Sequence, residues 1–282
     1  MIAVIYSGSR NADWKLSDRG QIVSEFRMPG INPFLYDEKF ISNLLNKKNE
    51  LITYAEEIKR IYFYGAGATS KDRQQIIVNA FNKFFRYAKV TVGHDLTASA
   101  IATCGDQPAI VGILGSGSNA AYFNGKKIKE NNFGMGYILA DEGSANWLGR
   151  RLLKDYLTGL LPEKFEQKFV QKFNPERKQI LDKVYRNPQP ILFLTSFTDF
   201  LAENRQEKYV DDLVKNGFKI FFETYILPLA EKHPDLPVHF TGAIADIFQD
   251  TIKEMADGYG ISVGNIIRKP IYNILNYYTN KN

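Results

Sequence analysis

Three short segments carry side chains able to do chemistry on a phosphate or a sugar. Residues Ile110 to Asn119 read I-V-G-I-L-G-S-G-S-N, a β-branched, strand-forming run that enters a Gly-Ser-Gly-Ser-Asn turn. Glycines at 115 and 117 allow positive φ, so successive N–H groups can converge on an anionic oxygen. The hydroxyls of Ser116 and Ser118 add short donors. An ordinary hairpin turn would read the same way. Val90-Thr91-Val92-Gly93-His94-Asp95 is a second β-branched run, ending in an acid and followed by the small-residue stretch Leu96 to Ala102. A carboxylate at a strand's carboxyl end, beside a closely packed helix, is where open α/β sheets place chemistry, although an aspartate there also caps helices. The third segment, Gly134 to Ser144, holds the adjacent acids Asp141 and Glu142 between glycines, ahead of helical spacing from Ala145 to Lys154. These acids read either as ligand-binding carboxylates or as cap and first-turn charges.

The elements that must position these groups alternate between strand and helix. Ile2 to Tyr6, Trp14 to Ser17 and Gln21 to Met28 form a meander joined by Gly- and Asp-containing turns. Asp37 to Asn46 and Lys71 to Tyr87 have apolar residues at helical spacing, and Arg60 to Tyr64 reads as strand. Strand Val90 to Gly93 delivers Asp95. The pattern then repeats with Ile110 to Leu114, Ala120 to Asn124, a hairpin turn at Asn124-Gly125 and a return strand near Lys127 to Glu130. Phe-, Leu- and Lys-rich helices fill 145 to 232, and Val238 to Thr241 is a late strand before Gly242. A meander that starts at residue 2 and again at residue 110 predicts a duplicated α/β fold with a cleft between its halves. The expected domains are residues 1–104 and 105–267, leaving a C-terminal helix near 268–282 free to return to the first.

Composition narrows the function. The chain has 282 residues, enough for two cores, with 44% apolar and 24% charged residues. Its 36 basic and 31 acidic residues are scattered, so the net charge of +5 is diffuse and no nucleic-acid partner is expected. Cys104 is alone and the three histidines are far apart, which leaves neither a disulfide nor a zinc spacing and fits a reducing, cytoplasmic setting. The start MIAVIYSGS reads as a first strand rather than a signal peptide, and no apolar run reaches membrane-spanning length.

The order of these blocks resembles the N-acetylglucosamine kinase-like proteins of the sugar kinase, actin and heat-shock ATPase superfamily, which includes the benzoyl-CoA reductase activating ATPases. The matching residues are Ser7-Gly8-Ser9 with Asp13-Trp14, Gly30-Ile31-Asn32-Pro33, Tyr62 to Gly67, Asp95, Leu114 to Asn119, Asp141-Glu142-Gly143-Ser144 with Leu148-Gly149, and His239 to Ala245. The resemblance implies two ribonuclease H-like, actin-like ATPase domains with mixed five-stranded sheets. It implies ATP and Mg2+ as cofactors, an amino sugar as acceptor, and room for a homodimer. It makes Asp95 the general base. Asn32, Asp95, Ser116, Gly136 and Asp141 fall on sugar-binding positions. Ser7, Gly8, Ser9 and Arg10, with Gly115, Ser116, Gly117 and Ser118, fall on the phosphate loops, and Gly242 and Ala243 lie beside the base. No residue is assigned to the metal.

Two departures qualify that picture. Where the family carries an Asp at the end of the first strand to hold the nucleotide's magnesium, this chain has Tyr6, and a neutral phenol is a poor ligand for a hard cation. Arg10 could still clamp phosphate oxygens as a planar fork. Gly134-Met135-Gly136 stands where family members commonly have Gly-Trp-Gly, so the wall beside the acetamido group differs. The expected activity is ATP-dependent phosphoryl transfer to an amino sugar with a degenerate first phosphate loop. The alternative is a catalytically weak or inactive sugar- and nucleotide-binding regulatory relative. An ATPase that activates a reductase would need cysteines for an iron–sulfur cluster, and one cysteine is too few.

Overall fold

A computed structural model of the chain describes residues 1–8, 10–129 and 133–281. They form two five-stranded mixed sheets. The first has the order β3-β2-β1-β4-β5, with β1 Ile2–Ser7, β2 Asn11–Asp18, β3 Gln21–Pro29, β4 Arg60–Gly65 and β5 Lys89–His94. The meander β1-β2-β3 is antiparallel, whereas β4 lies parallel to β1 and β5 parallel to β4. The second has the order β10-β9-β6-β7-β8, with β6 Pro108–Leu114, β7 Ser118–Asn124, β8 Ile128–Lys129, β9 Val238–Thr241 and β10 Val263–Ile267. Here β9 runs parallel to both β6 and β10.

The chain divides into two compact units, one of Met1–Pro108, Phe123–Ile128 and Lys269 onward, the other of Ala109–Tyr122 and Lys129–Arg268. In the first, the fully buried Trp14 stacks between Phe26 and Phe81, with ring centroids 5.6 and 5.7 Å away. The helix Lys71–Phe84, which supplies Phe81, is capped by Ser70. The C-terminal helix Ile271–Lys281 lies on the same unit. Tyr278 stacks on Tyr62 with centroids 3.5 Å apart and hydrogen-bonds the Tyr64 hydroxyl, while Tyr277 donates to Asp106 at 2.6 Å.

In the second unit a phenylalanine-rich core collects Phe165, Phe169, Phe200, Phe218, Phe221 and Phe222 with β6 and β9. The aromatic residues at helical spacing thus pack inside, as their spacing suggested. One long helical stretch changes pitch. Lys208–Phe221 continues as a π-helical segment, Phe222–Ile226, before Leu227–Ala230. Pro228 explains it: proline has no N–H to give to the carbonyl four residues back, and its ring would clash there, so an extra residue is accommodated in the turn. Among the described residues, no helix is long and apolar enough to cross a membrane.

Helix Ala145–Leu157, which carries side chains of the site described below, approaches its neighbour unusually closely. A Cβ on Gly149 would lie 2.0 Å from the Leu194 carbonyl oxygen. Neither backbone can yield without moving a buried element. Gly149→Ala should therefore lower stability by about 1–3 kcal/mol, as overpacking does, read as a lower urea midpoint at unchanged m-value. A variant as stable as the native chain would show that the helix can withdraw from Leu194 freely.

Candidate active site

Parallel strands present their carboxyl ends on one edge of a sheet, and in the second unit the polar groups gather at the ends of β6 and β9. After Leu114 the chain turns through Gly115-Ser116-Gly117 into β7, closed by a 3.0 Å hydrogen bond from the Gly115 N–H to the Gly117 carbonyl. Helix Ala145–Leu157 meets this turn with its N-terminus. The Ala145 N–H donates to the Gly115 carbonyl at 2.9 Å, and the Asn146 N–H and Nδ2 both donate to the Ser116 carbonyl, at 3.2 and 2.6 Å. The loop carbonyls thus turn toward the helix, while the N–H groups of Ser116 and Gly117 find no protein acceptor among the described residues. Free, adjacent N–H groups in a glycine turn are what an anionic oxygen requires.

Asp141 locks into the same turn. Its Oδ1 accepts from the Ser118 N–H at 3.0 Å and its Oδ2 from Asn146 Nδ2 at 2.8 Å. A Cβ on Gly117 would lie 2.8 Å from that carboxylate, so the glycine is needed for room. Asp141 itself has φ +67°, left-handed backbone that a non-glycine residue adopts at a cost. It does not cap the following helix; Ser144 does, accepting from the Trp147 N–H at 3.4 Å. Burial raises the Asp141 pKa above the ordinary carboxylate range, opposed by the bonds from Ser118 and Asn146 and by the charge of Arg150. Burial lowers the Arg150 pKa in turn, against the pull of Asp141 and Glu142. Three buried polar atoms on these residues have no hydrogen-bond partner among the described residues, namely Ser118 Oγ, Asn146 Oδ1 and Arg150 Nε. Buried polar atoms are normally satisfied, so a cluster of one hydroxyl, one acceptor and one donor suits a ligand rich in hydroxyls.

The neighbouring carboxylate is oriented from a distance. Glu142 accepts a 2.5 Å hydrogen bond from the fully buried Tyr225, which the π-helical turn supplies. Gly242 brings β9 against the loop. At φ +118° it packs so tightly that a Cβ would lie 2.3 Å from the Leu114 carbonyl oxygen, and Ala243 begins the short helix behind it. The structure therefore gathers Gly115, Ser116, Gly117, Ser118, Asp141, Gly242 and Ala243. It does not gather Gly136, which opens the exposed four-residue helix Gly136–Leu139 with no atom within 4 Å of where its Cβ would be. Sequence reasoning passed over Asn146 and Arg150. Their spacing of four puts them on one helix face, the signal that was available.

In the first unit, β5 delivers Asp95 as the first residue of helix Asp95–Cys104. Its Oδ1 is buried and makes no hydrogen bond, although His94 Nε2 lies 3.0 Å away. Tyr6 is the nearby phenol. Burial first, then the Asp95 and Asp13 carboxylates, push its pKa far up, so its oxygen stays protonated and neutral. Asp13 accepts from Arg27 Nε at 2.9 Å. The Ser7 hydroxyl is engaged by backbone, accepting from the Ile31 N–H at 2.8 Å and donating to the Ile31 carbonyl at 3.0 Å. This pins the Gly30–Pro33 loop to β1. Asn32 Oδ1 accepts from the Phe34 N–H at 2.9 Å and sits over Gly67, where a Cβ would be 2.0 Å away. The Gly8 N–H bonds the Asn11 carbonyl at 2.9 Å, and the exposed Arg10 accepts from the Gly30 N–H at 3.1 Å through its carbonyl. Ser9 lies outside the described residues.

The donor set at the end of β1 does not fit a magnesium ion held by the protein. Its oxygen is a neutral phenol, Asp13 is paired with Arg27, and among the described residues no group of three or more His, Cys, Asp or Glu side chains could hold a metal.

Two sheets of this topology, with glycine turns at the carboxyl ends of their parallel strands, define an α/β protein of the actin-like ATPase class. No protein-family model matches the chain. A solved structure from Porphyromonas gingivalis, provisionally described as an N-acetylglucosamine kinase, is 33% identical over 99% of both chains with a TM-score of 0.93. The chain belongs to this N-acetylglucosamine kinase-like family of the sugar kinase, actin and heat-shock ATPase superfamily. A Streptomyces griseus ROK-family glucokinase, solved with glucose and AMPPNP, shares the fold at 13% identity and TM-score 0.60 over 98% of this chain and 97% of its own. A Chromobacterium violaceum protein, provisionally described like the first, does so at 14% identity and TM-score 0.58 over 98% and 99%.

The raised pKa of Asp141 has a consequence for stability with a definite sign. A carboxylate whose folded pKa exceeds its unfolded value near 3.9 destabilises the fold when ionised; that cost is present above the folded pKa and vanishes as pH falls below the unfolded one. Asp141→Asn should therefore be at least as stable as the native chain at pH 7, with the difference shrinking toward pH 4, while ligand binding is lost. Equilibrium unfolding at several pH values checks this. A variant less stable at pH 7 by the same margin at every pH would show that the carboxylate serves the fold rather than a ligand.

Proposed function

We propose that this protein is an ATP-dependent sugar kinase whose acceptor is an amino sugar of the N-acetylglucosamine type. The observation that carries the reading is the half-buried Asp95 carboxylate at the end of a parallel strand, whose Oδ1 accepts no hydrogen bond among the described residues and has His94 Nε2 3.0 Å away. A base must keep a lone pair free for the proton it receives. Asp95 takes the proton from one sugar hydroxyl as that oxygen attacks the γ-phosphorus of ATP in line; the bond to the β–γ bridging oxygen breaks and ADP leaves. Asp141 accepts hydrogen bonds from other hydroxyls, helped by the unpartnered Ser118 Oγ, Asn146 Oδ1 and Arg150 Nε. Asn32 borders the sugar, while Gly136, exposed and apart from the gathered residues, is given no contact with it. The free N–H groups of Ser116 and Gly117 take phosphate oxygens, Arg10 adds donors from the first loop, whose Gly8 N–H is held by the Asn11 carbonyl, and Gly242-Ala243 lets the base approach backbone. No step is assigned to a metal held at the end of β1. Kinases of this kind use magnesium-bound ATP; here the ion would have to arrive with the nucleotide.

Tyr6 supports a second reading, a catalytically weak or inactive relative that binds sugar and nucleotide. The measurement that separates the two is sugar-dependent ADP release across N-acetylglucosamine, glucosamine, N-acetylmuramic acid and glucose. For the kinase, Asp95→Asn should lower kcat by about 100-fold or more with little change in sugar affinity; unaltered turnover would remove Asp95 as the base. Tyr6→Asp restores a charged oxygen and should raise both magnesium-dependent ATP affinity, by calorimetry, and turnover. Robust native turnover with no gain on substitution would show Tyr6 to be harmless. Absence of sugar and nucleotide binding in both proteins would sink both readings.

A further inference from the structure

The first sheet carries a second polar site that the proposed kinase chemistry does not use. At the starts of β4 and β5, an open cavity of about 320 Å³ is lined by Arg60, Tyr62, Lys89 and Thr91. The register makes these four a compact rectangle: Arg60 faces Lys89 and Tyr62 faces Thr91 across the parallel pair. All four side chains stand on the same face of the sheet, because residues two apart share a face. Neighbouring strands lie ~4.8 Å apart and alternate residues ~6.7 Å apart, so the four groups converge on a volume the size of one small ligand.

The chemistry of the lining is one-sided. Each side chain is a hydrogen-bond donor and two are permanent cations, with no carboxylate among them. Arg60 and Lys89 are exposed and, among the described residues, form no ion pair, although like charges directly opposite on paired strands repel. The Tyr62 ring, by contrast, is held in place, stacked on Tyr278 with centroids 3.5 Å apart and planes 8° from parallel. Its hydroxyl is therefore presented in a fixed position. The cavity is also remote from the first unit's own loop at the end of β4. Arg60 and Gly65 are the two ends of β4, and five steps of ~3.3 Å separate the cavity from the Gly65–Gly67 turn by ~16 Å.

We propose that this cavity binds a small dianion, with a phosphate group as the species that matches its donors. Arg60 supplies the planar fork that matches two phosphate oxygens, Lys89 a point charge, and Tyr62 and Thr91 the hydroxyls that complete the shell. The source is either free inorganic phosphate or a phosphorylated small metabolite, and the cavity is larger than bare phosphate needs. The site does not depend on the kinase reading, since none of its residues belongs to that machinery.

The test is calorimetric titration of the full chain with inorganic phosphate and, separately, with glucose 6-phosphate, at constant ionic strength. Native protein, Arg60→Gln, Lys89→Gln and the double variant are compared, and each titration is repeated with the nucleotide loops saturated by AMPPNP. Phosphate binding that persists with AMPPNP present, weakens about tenfold or more in each single variant and disappears in the double variant supports the site. Tighter binding of glucose 6-phosphate identifies a metabolite as the ligand; equal binding identifies phosphate itself. Circular dichroism and the melting temperature without ligand guard against misfolding, and removal of the repelling pair should leave the latter unchanged or higher. Three results would overturn the proposal: no binding to the native chain, binding unchanged in the double variant, or self-association of the double variant with unaltered phosphate affinity. The last would make Lys89 a guard on the edge strand β5 instead.

Discussion

The second unit's site depends on one buried carboxylate. Asp141 holds the Ser118 N–H and Asn146 Nδ2 at once, and so fastens the glycine turn after β6 to the first turn of the helix behind it. Everything else in the site is arranged to permit that bond pair. Gly117 leaves room for the carboxylate, Asp141 accepts left-handed backbone to reach it, and Gly143 at φ +73° packs on Gly217 so that the loop can sit down on its neighbour. Desolvating a carboxylate for two hydrogen bonds and a nearby guanidinium is poor economy for stability alone, since apolar packing does as well. The arrangement makes sense if the remaining lone pairs are kept for a ligand.

Much of this was legible in sequence, where the constraint is local. A glycine needed for positive φ or for a missing Cβ leaves its mark at its own position, which is why the Gly115–Ser118 turn, Gly242 and the β5-to-Asp95 junction could be read directly. The strand alternation and the repeated meander likewise set out two mixed sheets, and the structure has them. Asn146 and Arg150 were not legible, because a polar residue on a helix reads as surface until something is known to pack over it. Nor was the bond from Tyr225 to Glu142, between residues 83 positions apart and dependent on a π-turn that Pro228 forces. Ser7 shows the opposite error of scale. A serine in a glycine loop reads as a phosphate donor, yet its hydroxyl both accepts from and donates to Ile31, 24 residues on.

Family membership sharpens the meaning of Tyr6 without removing its chemistry. A desolvated phenol in β1, with the Asp95 and Asp13 carboxylates near it, stays neutral at any physiological pH. It can donate one hydrogen bond and can accept, but it brings no charge to a cation. The first unit therefore keeps a turn after β1 that is pinned by Ser7 and by the Gly8–Asn11 bond, and at Tyr6 it offers a neutral oxygen where the proposed metal chemistry would want a charged one.

The two aspartates proposed to act on the sugar are held in opposite ways, and the contrast follows from what each must do. Asp141 is bonded through both oxygens and carries a strained backbone, which suits a group that fixes a ligand and must not move. Asp95 sits at the head of a helix with an Oδ1 that accepts no hydrogen bond among the described residues and has His94 Nε2 3.0 Å away, which suits a group that must accept a proton when the reaction demands it. Reversing them would fail on both counts. A base already receiving two N–H bonds would be a weaker proton acceptor, because those bonds stabilise its charge, and a binding carboxylate without fixed partners would turn with the ligand rather than orient it. The distribution of hydrogen bonds between the two carboxylates supports the roles proposed for them, and Asp141 draws its two from Asn146 on the next helix and from Ser118, 23 residues back.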